Sequence, residues 1–194
     1  MNKLKGLGVA LVTPFHEDLS VDFDSLTKLI NYNIDNGTGY LVVLGTTAEA
    51  ATLSKEEKMA VVVHVININA GRLPLVLGIG GNNTMEVKKQ IQEADLSAFD
   101  AVLSVSPYYN RPNQEGLYQH YKAIAETGEN IIIYNVPSRT GQNIEAATTL
   151  RLAKEFPNLM MVKEAAPNIL QYFDILRNKP ANFNLVSGDD EFTL

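Results

Sequence analysis

Seven short apolar runs at a nearly constant step constrain the fold more than any other feature of this chain. They are Gly8–Thr13, Tyr40–Leu44, Leu75–Ile79, Ala101–Val105, Ile131–Tyr134, Met160–Val162 and Asn184–Val186, with starts 24 to 35 residues apart. Each step holds one strand, one helix and their loops. The runs are rich in Val, Ile and Leu and do not alternate with polar residues, so they read as strands buried on both faces of a parallel sheet.

The gaps carry helical signals. Phe23, Leu26, Leu29, Ile30 and Ile34 repeat every three to four residues, with Asp22 placed to cap the first turn and Gly37 to stop the helix. In the next gap Ser54 and Glu57 form a capping box, Met59, Val62, Val63 and Ile66 make an apolar stripe, and Gly71 ends it. Asn83 or Thr84 can cap a third helix carrying Val87, Ile91 and Ala94. Seven evenly spaced βα units, with no break that would carry the chain to the far side of a sheet, favour a barrel; a doubly wound sheet is the alternative. The chain stops at Leu194, just past the seventh strand, whereas a closed barrel usually takes about 250 residues. The expectation is an α/β chain with the (β/α)8 TIM-barrel fold, truncated after the seventh strand and forming a single domain over residues 1–194.

Composition narrows the chemistry. A formal charge of −6 lacks the basic footprint that nucleic-acid phosphates require. With no cysteine, disulfides, thiolate nucleophiles and Cys-ligated metal centres are excluded. No apolar run approaches the roughly 18–20 residues that span a bilayer. Lys3 and Lys5 before Gly8–Val12 imitate a signal peptide, but Thr13-Pro14 breaks the run and no small-residue cleavage site follows, so a buried first strand and a cytoplasmic protein are expected. His16, His64 and His120 stand apart, without carboxylates at ligand spacing, and no metal is expected.

In a barrel the reactive side chains lie at the carboxyl ends of strands and in the loops that follow. Those places hold Gly45-Thr46-Thr47-Ala48-Glu49, Ser106-Pro107-Tyr108-Tyr109-Asn110, Tyr134-Asn135-Val136-Pro137-Ser138-Arg139-Thr140-Gly141 and Val162-Lys163-Glu164-Ala165. Lys163 ends an apolar run in which a free ammonium is costly to bury. Burial lowers a lysine's pKa and frees a neutral amine able to attack a carbonyl and form a Schiff base. The plainer reading is a lysine that snorkels from a strand end or pairs with Glu164.

Tyr134 lies one βα unit before Lys163, so its phenol could reach the same mouth and shuttle protons, with Thr46 as a relay. An aromatic plug with a satisfied hydroxyl is the alternative for Tyr134. A capping pair is the alternative for Thr46 and Thr47. Arg139 offers a fork suited to a small carboxylate, or is a surface arginine. Gly78-Ile79-Gly80-Gly81 lacks the ending of a phosphate loop and reads as close backbone packing. Tyr108-Tyr109 reads as an aromatic pair at a subunit contact, with two ordinary loop aromatics as the alternative.

Taken together, Gly45–Glu49, Tyr134–Gly141, Val162–Ala165 and Ser187-Gly188-Asp189-Asp190 resemble the dihydrodipicolinate synthase family, in the pyruvate-dependent class I aldolase group with N-acetylneuraminate lyase. The resemblance runs from Gly6 to the last residue. It implies a lyase of lysine (diaminopimelate) biosynthesis that condenses pyruvate with L-aspartate semialdehyde to 4-hydroxy-tetrahydrodipicolinate. No cofactor is implied beyond the covalent imine on Lys163. By the same likeness Tyr134, Thr46 and Tyr109 form a proton relay, Tyr109 being donated across a tight dimer interface of a homotetramer. Thr47 contacts the pyruvate carboxylate, Gly188 lies in the active-site loop, and Arg139 binds the semialdehyde carboxylate.

The family's lysine-inhibitor pocket maps onto Ala50, Ala51, Lys55, Lys58, Asn82, Glu86 and Tyr108. There Lys55 and Lys58 replace histidines of the lysine-sensitive members, which implies weakened feedback inhibition. Ala48 and Ala50 replace a family Gly and Ser, and Pro167 stands where a Gly is common. The likeness also implies a last barrel unit and a helical C-terminal region that this chain lacks. The alternatives are a related pyruvate aldolase acting on a sugar-derived aldehyde and an inactive barrel fragment. The Ser138-Arg139 pair favours the semialdehyde enzyme.

Overall fold

The computed structural model describes residues 3–192, so the chain end at Leu194 lies outside the described residues. The seven expected strands are all present: β1 (Gly8–Ala10), β2 (Tyr40–Val43), β3 (Leu75–Gly78), β4 (Ala101–Val105), β5 (Ile131–Asn135), β6 (Leu159–Glu164) and β7 (Asn184–Ser187). Among the described residues seven α-helices lie between them, one in each gap except that between β5 and β6, which holds two: α1 (Phe23–Asp35), α2 (Lys55–Asn69), α3 (Thr84–Glu93), α4 (Gln114–Ala125), α5 (Pro137–Thr140), α6 (Ala146–Glu155) and α7 (Ile169–Asn178). The chain divides into two compact units, one running to Gly78 and including Asp95–Asp100, the other made of Ile79–Ala94 and the chain from Ala101 onward.

In the first unit β1, β2 and β3 are parallel, with Gly8 opposite Tyr40 and Leu41 opposite Leu75. Strand β1 ends at Ala10, three residues short of the expected Thr13. The Thr13 hydroxyl leaves the strand pattern to donate to the Ala48 carbonyl (2.7 Å). The α1 cap is as the sequence predicts: Asp22 accepts from the Ser25 amide. The α2 capping box is complete, with Glu57 N–H donating to Ser54 Oγ and Ser54 N–H to Glu57 Oε2. Its buried face is not the expected stripe. Val61 and Val65 enter the core, whereas Met59 and Val63 are 60% and 49% exposed. Residues 60–66 are apolar on nearly every side except at His64, so periodicity could not choose the face.

In the second unit β4, β5, β6 and β7 form a continuous parallel ladder. Asn83 caps α3, accepting from the amides of Met85 and Glu86, and Val87 and Ile91 are buried beneath that helix. Strand β6 runs longer than the apolar stretch that signalled it, taking in Lys163 and Glu164. Two glycines of the Gly78–Gly81 run pack as expected, each within its own unit: in the first a Cβ at Gly78 would meet the Leu44 carbonyl, and in the second one at Gly80 would meet Val105. Among the described residues no helix is long and apolar enough to cross a membrane.

Candidate active site

The geometry of the second unit turns on strand alternation. Tyr134 and Lys163 occupy paired positions on β5 and β6, and the next pair is Asn135 with Glu164. Because successive side chains leave opposite faces of a sheet, these two pairs project to opposite sides. Lys163 Nζ lies over the Tyr134 ring, 4.6 Å from its centroid. Tyr134 is buried and Lys163 half-buried. Burial pushes the Lys163 ammonium below the usual lysine range, and the negative charge of Asp190 partly opposes this. Gly188 follows β7 closely enough that a Cβ there would sit 2.8 Å from Lys163 Cε and 3.0 Å from Ala165 Cβ. The lysine stem is thus held between its own loop and the end of β7.

Glu164 is not the partner of Lys163. Its carboxylate accepts from Asn135 Nδ2 (2.8 Å), from the Ala166 amide (2.8 Å) and from Gln171 Nε2 (2.8 Å), in a fully buried position. Asn143 completes the cluster through Asn135 Nδ2 and Gln171 Oε1. Sequence reasoning missed this cluster. The period-2 rule could have separated Glu164 from Lys163, but nothing in the linear order links Asn143 or Gln171 to that strand end.

The other anticipated residues fall at the expected loops. Thr46 and Thr47 open a turn of 3₁₀ helix over Thr46–Ala48 in the first unit, and both are exposed. Arg139 is exposed on the short helix α5, directly after β5. Tyr108 and Tyr109 follow β4, 41% and 91% exposed, and Tyr109 has a left-handed φ of 72°.

The residues of the anticipated inhibitor pocket divide between the units. In the first, Ala50 and Ala51 lie just past the 3₁₀ turn, with Lys55 and Lys58 in the first turns of α2. In the second, the Asn82 carbonyl accepts from Asn110 Nδ2, and Glu86 is in the first turn of α3. The three histidines have separate partners: His64 meets Thr27, His120 meets Thr84 and His16 lies near Asp22. Among the described residues no group of three His, Cys, Asp or Glu side chains could hold a metal ion.

Residues 3–194 match the family described as the Dihydrodipicolinate synthetase family. The chain belongs to this family. It is 57% identical over 191 residues to the 4-hydroxy-tetrahydrodipicolinate synthase of Parabacteroides distasonis, a match covering 98% of this chain and 64% of that protein. Among solved structures, the dihydrodipicolinate synthase of Aquifex aeolicus superposes with a TM-score of 0.91 at 41% identity, over 98% of this chain and 65% of that one. The chloride-inhibited enzyme of Acinetobacter baumannii, complexed with pyruvate, superposes with a TM-score of 0.92 at 43% identity, over 97% of this chain and 65% of its own. The family's fold is therefore the fold of this chain, a (β/α)8 barrel through its seventh strand. The chain spans about two thirds of the length of the curated relatives it matches.

Proposed function

We propose that this chain carries the Schiff-base half of a 4-hydroxy-tetrahydrodipicolinate synthase, a lyase of lysine (diaminopimelate) biosynthesis that joins pyruvate to L-aspartate semialdehyde. The observation that carries the reading is Lys163, a half-dry amine held against the Tyr134 ring at the end of a buried strand. Burial favours the neutral amine, which adds to the pyruvate ketone; loss of water then gives an imine. The ring face attracts positive charge, so it favours the protonated imine over its neutral form. That imine withdraws electrons and lets the pyruvate methyl group lose a proton. The resulting enamine carbon attacks the semialdehyde carbonyl, and the incoming amine displaces Lys163 as the ring closes. No cofactor is required, because the imine itself is the electron sink.

The remaining roles follow the family likeness. Tyr134, Thr46 and Tyr109 relay protons, Thr47 and Gly188 receive pyruvate, and the exposed fork of Arg139 suits the semialdehyde carboxylate. Tyr109 is almost fully exposed, which supports donation to a second copy across a tight dimer. Further assembly of such dimers to a tetramer follows the same likeness. The protein works in the cytoplasm, with no nucleic acid and no membrane as partner. Lysine inhibition through Ala50, Ala51, Lys55, Lys58, Asn82, Glu86 and Tyr108 is weak, since Lys55 and Lys58 stand where the lysine-sensitive members of the family carry histidines.

Incubation with pyruvate followed by borohydride tests the core of this reading. One reduced pyruvate is expected on Lys163 by mass spectrometry, and none on a Lys163→Met variant. An unmodified Lys163 after that treatment would overturn it. Turnover with aspartate semialdehyde, compared with sugar-derived aldehydes, separates the synthase from a related pyruvate aldolase.

A further inference from the structure

The buried polar cluster on the opposite face of β6 has no part in the chemistry above. Glu164 is fully buried, one peptide bond from Lys163. Its three close partners all donate: the Asn135 amide, the Gln171 amide and the backbone N–H of Ala166. Each donor is fixed in turn. Asn135 Oδ1 accepts from Ile144 N–H (3.0 Å), and Gln171 Oε1 accepts from Asn143 Nδ2 (2.9 Å). Burial pushes the Glu164 carboxyl above the usual carboxylate range and the hydrogen bonds from these donors oppose this; a carboxylic acid proton would find no acceptor among the three, so the geometry fits an ionised carboxylate. The main chain is held at the same point, since the Tyr172 hydroxyl donates to the Glu164 carbonyl (2.5 Å).

Burying an ionised carboxylate with amide donors but no cation is expensive, and a Leu would pack the same layer without that cost. The return is geometric. The cluster joins the end of β5 to the end of β6, to α7, and to the Ala165–Ala166 turn that flanks the lysine stem. Those strand ends are the ones that carry Tyr134 and Lys163.

We propose that Glu164 is a positioning residue: its buried carboxylate, gripped by Asn135, Gln171 and the Ala166 amide, fixes the relative placement of Tyr134 and Lys163 from behind the sheet. This rests on the reading of Lys163 as the imine-forming amine. When the grip is lost the strand ends separate, water reaches the amine, and its attack on a carbonyl slows.

The test compares the unmodified chain with Glu164→Gln, which keeps the volume but offers Gln171 a donor in place of an acceptor. Two rates are followed by mass spectrometry: pyruvate trapping by borohydride, and reductive methylation of Lys163 by formaldehyde and cyanoborohydride, normalised to the other lysines of the same molecule. Both are expected to fall about tenfold or more at Lys163. Leu152→Ala in α6, a buried apolar position that takes no part in the hydrogen bonds of the cluster, is expected to lower Tm while leaving both rates near the unmodified values. Gln171→Leu removes one donor without touching Glu164 and is expected to slow both rates by a smaller factor; it decides the question if Glu164→Gln does not fold.

Unchanged Lys163 rates in the folded Glu164→Gln variant would overturn the proposal. So would unchanged rates in Gln171→Leu, or an equal slowing in Leu152→Ala. If the unmodified chain methylates at Lys163 yet traps no pyruvate, the pyruvate reading falls, and the methylation rates alone decide the role of Glu164.

Discussion

Lys163 and Tyr134 sit directly across from each other on neighbouring parallel strands, with the amine 4.6 Å from the centre of the phenol ring. The contact has two separable parts. The ring face can balance positive charge on nitrogen, and the hydroxyl can carry protons.

Tyr134→Phe separates them. The ring contact survives, so pyruvate is still expected to be trapped on Lys163. Steady-state turnover is expected to fall by about 10²–10⁴-fold, the usual range for losing a positioned proton carrier. Wild-type turnover in the variant would remove Tyr134 from the relay.

Asp190 sets the second prediction. Its carboxylate raises the Lys163 pKa against the effect of burial. Trapping is expected to rise with pH through a midpoint below the ordinary lysine value of about 10.4, because only the neutral amine reacts. Asp190→Asn removes the opposing charge, moves that midpoint to lower pH and speeds trapping at neutral pH. A midpoint that moves upward would contradict the assignment.

Gly188→Ala should act through the lysine rather than through stability. The new methyl would lie 2.8 Å from Lys163 Cε, so the flexible stem must shift. A displacement of about 1 Å can slow a positioned reaction by up to about 10²-fold. Trapping rates and urea midpoints measured on the same preparation should show a large change in the first and a small one in the second.

His120 makes a prediction about stability. Burial lowers its pKa from 6.5 to about 4, so the folded chain keeps it neutral while the unfolded chain takes up a proton. The unfolded state therefore binds more protons between pH 6.5 and 4, and stability falls as pH falls through that window. The loss amounts to about 3 kcal/mol at order of magnitude. His120→Gln removes this proton uptake, and its unfolding free energy should decline less between pH 7 and pH 4.5 when both chains are titrated with urea.

The repeat of apolar runs was enough to place all seven strands, because strands buried on both faces leave an unbroken hydrophobic trace. Caps were equally readable at Asp22, Ser54 and Asn83, where one side chain bonds an amide two or three residues on. Legibility failed where the decisive partner is distant in sequence. The face of α2 depends on what packs against it, and its own residues 60–66 offer apolar groups in nearly every direction. Glu164 could be seen beside Lys163, but its donors come from β5 and α7, 29 and 7 residues away. Lys163 was visible because a charge at the end of a hydrophobic run is conspicuous. The amides gathered around its neighbour Glu164 were not, because Asn and Gln are unremarkable in any loop or helix.

Tyr109 carries a consequence for laboratory evolution. With 91% of its surface open and its backbone at a φ of 72°, it gives its own chain almost no packing and holds a conformation that glycine adopts more readily. Selection for heat tolerance or expression yield would discard it early and register an improvement. Libraries ranked by those traits alone would accumulate sturdy barrels in which any service this phenol performs for a neighbouring copy has been silently erased.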